Sequence, residues 1–148
     1  PKESAYVYAI ATCYQAKGDF DNAIRNYQDA VSKAPAKDLA GYKQALAAAQ
    51  MAQAQPIMDE AVQKHTAGDL AAAIPLYEKA LALYPANAHG YTNLAGAYQS
   101  NDDFNNARRC YAKALELDAK NESDNWYFIG LIDENYRRVN DAISDYSK

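Results

Sequence analysis

Cysteine, histidine, methionine and tryptophan are scarce in this chain of 148 residues, at 2, 2, 2 and 1 respectively. Cys13 and Cys110 belong to no Cys-x-x-Cys or Cys/His cluster, so neither a metal site nor a redox pair is indicated. Both read as small buried hydrophobes. His65 and His89 stand outside any His-x-x-x-His spacing. There is no Gly-rich phosphate loop and no nucleophile elbow. The adjacent carboxylates Asp102-Asp103 and Asp133-Glu134 would point about 100° apart on a helix, too far to share a proton. These absences argue against an enzyme and call for no cofactor. No apolar run approaches the roughly 20 residues that span a bilayer, which excludes membrane insertion by a helix. A net charge of −4 without a dense basic stripe speaks against nucleic acid. Val, Ile and Thr are sparse and no stretch alternates in polarity, so the chain is expected to be all-α.

What is abundant is alanine and tyrosine, with 13 Tyr against 3 Phe. Small side chains and flat rings suit closely packed helices. The chain also repeats itself. Residues 16–23 (AKGDFDNA) align with 66–73 (TAGDLAAA), with 100–107 (SNDDFNNA) and, more faintly, with 136–142 (YRRVNDA). Four residues after each closing alanine comes a tyrosine: Tyr27, Tyr77, Tyr111 and Tyr146. The tyrosines are spaced by 50, 34 and 35 residues, and a period of 34 fits a helix–turn–helix unit.

These residues resemble the tetratricopeptide repeat family. Repeat one, 4–37, carries Val7, Ile10, Ala11, Tyr14, Ala23, Tyr27, Ala30 and Pro35 at the family's patterned positions. Repeat two, 54–87, keeps Ile57, Ala61, Ala73, Tyr77, Ala80 and Pro85, but has Glu60 and Lys64 where an aliphatic and an aromatic are expected. Repeat three, 88–121, has Tyr91, Leu94, Ala95, Tyr98, Ala107, Tyr111 and Ala114. Repeat four, 123–148, has Trp126, Ile129, Gly130, Ala142 and Tyr146, with Asp133 at the aromatic position. The resemblance implies a right-handed superhelical α-solenoid in one array over 1–148.

The physical reasons for the pattern are local. Small residues at Ala11/Ala23, Ala61/Ala73, Ala95/Ala107 and Gly130/Ala142 let paired helices cross closely. Gly18 and Gly68 suit a left-handed position after a first helix. Asp19, Asp69 and Asp103 can then cap the second. The spacing of 50 leaves 16 extra residues, the insert 38–53, whose Ala/Gln/Leu composition is strongly helical. It is expected to extend the following helix over 38–66, about 43 Å at 1.5 Å per residue, with a bend near Pro56. The chain starts at Pro1 without a methionine and stops within its fourth repeat, as a fragment of a longer protein would. A targeting segment is not legible.

By the resemblance, first helices line a concave groove and function follows from what they hold. The candidate groove residues are Tyr8, Thr12, Met58, His65, Asn93, Gln99, Tyr127, Phe128, Leu131 and Asn135. Trp126 and Tyr91 read as core. The expected partner is a protein or peptide segment. A chaperone C-terminal Glu-Glu-Val-Asp tail is not expected, because no Lys or Arg occupies a groove position to pair with its carboxylates. Two alternatives remain: a self-assembling homo-oligomer, with repeat one exchanged between chains on the long helix, or a regulatory domain of a larger enzyme.

Overall fold

Three first helices end in the same way, and that ending sets the repeat. In the computed structural model, which describes residues 2–118, 126–134 and 137, α1 (Lys2–Ala16), α3 (Ala36–Thr66) and α5 (Ala88–Ser100) each run into a Schellman turn. Asp19 N–H donates to Tyr14 O, Asp69 N–H to Lys64 O and Asp103 N–H to Tyr98 O, while the preceding residue bonds three back. That preceding residue has positive φ in every case: Gly18 (76°), Gly68 (80°) and Asp102 (58°). The aspartate after it caps the next helix. Asp19, Asp69 and Asp103 accept from the backbone N–H of Asn22, Ala72 and Asn106, starting α2 (Phe20–Ser32), α4 (Leu70–Leu83) and α6 (Phe104–Leu117). Asn87 does the same for α5 through Gly90 N–H.

Asp102 is the imperfect copy. A Cβ in the left-handed region costs on the order of 1 kcal/mol, which glycine avoids at some expense of unfolded-chain entropy. Asp102→Gly is expected to stabilise the fold by about 0.5–1 kcal/mol, read as a raised urea midpoint at unchanged slope. An unchanged or lowered midpoint would mean that the Asp102 side chain offsets its own strain.

All elements among the described residues are α-helical. The chain divides into two compact units, Pro1–Ile57 and Met58–Lys148. The first holds α1, α2 and the N-terminal part of α3. Ala11, Ala23, Tyr27 and Ala49 form its core, flanked by Tyr8, Tyr14, Ile24, Ala45 and Leu46. The insert thus supplies a third helix that packs on the first pair: Ala49 enters the core, Tyr42 stacks on Tyr8 at 4.5 Å, and Gln53 Nε2 donates to Asp21 Oδ1 at 2.6 Å. α3 is unbroken over 31 residues and contains Pro56 within it.

The second unit contains the end of α3, α4, α5, α6 and the helical segment 126–134. Ala61, Ala73, Ala95 and Ala107 are all wholly buried. Ala95, Ala107 and Tyr111 meet Ile129 and Ile132, and Phe128 stacks on Tyr111 with centroids 5.1 Å apart. The departures from the repeat pattern have polar solutions. Tyr98 Oη donates to Glu78 Oε1 at 2.6 Å, whereas Asp133, at the corresponding place in repeat four, accepts from Arg108 Nε at 2.8 Å. Lys64 sits 3.9 Å from the cap Asp69, and Glu60 is exposed. Repeat four is described only in part, so the Gly130/Ala142 pair lies outside the described residues, although Gly130 itself is exposed.

Candidate functional site

Three buried tyrosines back the first helices, one in the first unit and two in the second. Tyr27, Tyr77 and Tyr111 come from the second helices α2, α4 and α6, and each is at most 2% exposed. A buried phenol must find a partner for its hydroxyl, and each reaches a residue twelve positions earlier, on its own first helix. Tyr27 Oη donates to Gln15 Oε1 at 2.7 Å and Tyr111 Oη to Gln99 Oε1 at 3.1 Å. Tyr77 Oη lies 3.3 Å from His65 Nδ1, with the rings edge to face at 6.0 Å. The spacing itself was a legible signal: an amide or imidazole precedes every one of these tyrosines by twelve residues.

In the first unit Tyr8 is half-buried, held between Tyr27 (5.4 Å, edge-on) and Tyr42. Its ring is therefore packed against two others. Thr12 is exposed, and its Oγ1 donates back to Tyr8 O at 2.9 Å.

In the second unit His65 and Gln99 are half-buried and Asn93 is exposed. A Cβ placed at Gly96 on α5 would stand 3.7 Å from His65 Cε1. The imidazole thus lies against a stretch of α5 that has no side chain in the way. Met58, read from the sequence as a groove residue, is instead 6% exposed. Its tip fills the hollow at Gly90, where an added Cβ would meet Met58 Cε and Leu81 Cδ2 at 2.8 Å. Phe128 is half-buried on Tyr111 and Leu131 is half-buried. Tyr127 is 63% exposed with its ring edge-on to Phe128 at 5.7 Å. Asn135 lies outside the described residues.

Two further expectations are corrected here. Trp126 is 59% exposed rather than core, because Ile129 and Ile132, further along the same helix, take the buried places. Cys13 is exposed, on the side of α1 that also presents Tyr6 and Ile10. Cys110 is half-buried, and burial pushes its thiol up to about 11. It is protonated at neutral pH, which makes it a poor nucleophile. Burial and the bond to Glu78 push the Tyr98 hydroxyl up as well. Among the described residues no three His, Cys, Asp or Glu side chains are grouped to hold a metal ion, and no helix is long and apolar enough to cross a membrane.

What these first-helix residues offer is hydrogen bonding and apolar area. Two family models, each described as tetratricopeptide repeat, match residues 4–37 and 64–127. No curated protein sequence matches the chain. Among solved structures, a crystal structure of MamA superposes with a TM-score of 0.56 at 21% identity, covering 91% of this chain and 89% of that one. A second MamA crystal structure gives 0.55 at 19%, covering 97% and 88%. The TPR2AB domain of yeast Sti1 in its pHSP90 complex gives 0.53 at 22%, covering 95% of this chain and 58% of that one. At such identities the likeness is one of fold, and it agrees with the helix pairs and turns described above. The chain belongs to the tetratricopeptide repeat family.

Proposed function

We propose that this chain is a non-catalytic protein-interaction module that holds a protein or peptide segment on its first-helix faces. The observation that carries the reading is the tyrosine device: in three of the four repeats the hydroxyl of a buried tyrosine meets a half-exposed polar side chain on the first helix. Holding such groups in place lowers the entropy lost when they bind a partner. In the second unit the contact residues are His65, Asn93, Gln99, Tyr127, Phe128 and Leu131; in the first they are Tyr8 and Thr12. Met58 is left out because it is buried.

The yeast Sti1 neighbour is a pHSP90 complex, and the same class of ligand is disfavoured here. A terminal carboxylate gives up its water only for charge-assisted bonds, and the first-helix positions named above carry no Lys or Arg. Titration calorimetry of the 1–148 chain with a Glu-Glu-Val-Asp peptide is expected to give no binding tighter than about 100 μM, roughly −5.5 kcal/mol. Micromolar binding would overturn this specificity. Affinity capture with purified chain, followed by cross-linking and mapping of linked residues, tests the broader reading. Cross-links confined to residues away from these faces would refute it.

Self-assembly is the second reading, favoured by the unbroken α3, which enters both compact units. A helix shared in this way can carry one unit to a neighbouring chain. Chromatography with light scattering from about 1 to 100 μM separates the two readings: a mass that doubles with concentration supports exchange, and a constant monomer excludes it.

A further inference from the structure

We infer that one exposed face of α1 is a second docking surface, separate from the first-helix residues named above. It takes an amphipathic helix of a partner protein, one that carries a carboxylate against Tyr14 and Lys17 and a small residue over Tyr6.

At 100° per residue, Tyr6, Ile10, Cys13, Tyr14 and Lys17 fall within about 100° of one another on α1, with Tyr8 and Thr12 on the opposite side. Tyr6 is 72% exposed and Ile10 47%, and Cys13 is exposed one turn further on. With Ala9, Tyr14 and Lys17 they line a shallow hollow of about 320 Å³.

The second unit shows what this side of a first helix does. Repeats one and three begin at residues 4 and 88 and repeat each other's bonds. Asp19 N–H donates to Tyr14 O as Asp103 N–H does to Tyr98 O, and Tyr27 reaches Gln15 as Tyr111 reaches Gln99. In that register the counterparts of Tyr6, Ile10, Cys13 and Tyr14 are Gly90, Leu94, Ala97 and Tyr98. The first three are buried, and α4 packs on α5. Leu81 closes on Gly90, and Glu78 accepts from Tyr98 Oη at 2.6 Å. A helix with a carboxylate is thus the observed occupant of this face in repeat three. In repeat one the face stands open.

Two substitutions define how the occupant of α1 must differ from α4. Even a Cβ at Gly90 would come within 2.8 Å of Leu81 Cδ2, so a helix seated as α4 is would drive its leucine into the Tyr6 ring. The partner therefore needs a small residue there. Where repeat three has Asn101, repeat one has Lys17, which adds a cation beside Tyr14 and strengthens the demand for a carboxylate. A second copy of α1 does not meet that demand: its one carboxylate, Glu3, is already held by Lys33 at 2.7 Å. An amphipathic helix laid into an apolar hollow is a general mode of recognition.

The test uses a phage library on an α-helical peptide scaffold of about 18 residues, roughly five turns, selected on the full 1–148 chain and counter-selected on its Ile10→Glu variant. The surviving peptides are expected to carry Asp or Glu and, about one to two turns away, Ala, Gly or Ser. By calorimetry Ile10→Glu should weaken them at least tenfold and Lys17→Glu about three- to tenfold. Replacing the small residue by leucine should weaken binding to the parent chain but not to Tyr6→Gly, which restores the glycine of repeat three. Circular dichroism shows whether each variant keeps its helices. A bound peptide should also slow alkylation of Cys13 by iodoacetamide about tenfold in the parent chain, read by mass spectrometry, which needs no variant. If no peptide survives the counter-selection, or survivors leave Cys13 as reactive as before, the docking surface is refuted while binding at the other first-helix residues stands. If survivors lack acidic residues and ignore Lys17→Glu, the partner chemistry is wrong. If Cys13 of the chain alone becomes protected as its mass doubles with concentration, the occupant is a second copy and the partner helix is refuted.

Discussion

Tyr111→Ala is expected to destabilise the second unit by about 3–5 kcal/mol, the range for deleting a large aromatic from a packed interior. The ring is 2% exposed and sits in the same cluster as Ala95, Ala107, Ile129 and Ile132. It also stacks on Phe128 at 5.1 Å with the planes 12° apart, a contact worth about 0.5–1.5 kcal/mol beyond area alone. Removing it empties the centre of the cluster, and alanines on both helices are too short to fill the space. Tyr111→Phe separates ring from hydroxyl. It keeps the packing and loses only the bond to Gln99, so about 0.5–1.5 kcal/mol is expected. Urea unfolding followed by far-ultraviolet circular dichroism measures both. With total stabilities of about 5–15 kcal/mol for an ordinary domain, the alanine variant should lose a large share of its cooperative transition. A Tyr111→Ala midpoint no lower than that of Tyr111→Phe would show that the cluster does not depend on this ring.

Much of the fold was legible because the turns are specified locally. Gly18 and Gly68 announce left-handed residues, and Asp19, Asp69 and Asp103 announce the caps that follow them. Asp102 shows the limit of that reading, since its φ of 58° is imposed by the same turn without the glycine that would signal it. The insert marks another limit. Its helicity follows from composition, but alanine and glutamine give it no sharply apolar face, so nothing in the sequence says that Ala49 and Tyr42 pack on the first helix pair. Glu60 and Lys64 look like damaged repeat positions in the sequence. In the structure they are solvated or paired groups, with Lys64 beside Asp69.

The candidate site was less legible than the fold, and Met58 shows why. A repeat position fixes the side of a helix from which a residue starts, but not what a flexible side chain can reach. Met58 has three rotatable bonds, and the missing Cβ at Gly90 opens a hollow for its tip, so it is drawn into the interior. Phe128 is likewise pulled down by the flat face of Tyr111, while its neighbour Tyr127 has no such ring beneath it and stays out. Trp126 and Cys13 fail in the opposite sense: apolar type suggested burial, yet neither is covered.

Ala23→Leu tests the other foundation of the repeat, the closeness of the paired helices. Ala11 and Ala23 are wholly buried in one cluster with Tyr27 and Ala49. Paired helices sit about 8–10 Å apart depending on the side chains between them, and small residues allow the short end of that range. Leucine adds three carbon atoms at a wholly buried position in the cluster of Ala11, Tyr27 and Ala49. Either α1 and α2 move apart, which loosens Tyr27 and its bond to Gln15, or the new side chain is forced off its rotamer. Overpacking of this kind costs about 1–3 kcal/mol and occasionally more; at a helix crossing the upper end, about 3 kcal/mol, is expected. Ala40→Leu is the control, because Ala40 is exposed on α3 and a surface change of this kind stays within about ±0.5 kcal/mol. Hydrogen exchange on the α1 and α2 amides reads the effect where it arises: Ala23→Leu should speed exchange there by about a hundredfold. Equal protection in the two leucine variants would mean that the helices already stand far enough apart to admit the larger side chain, and that alanine at the crossing is not what sets their spacing.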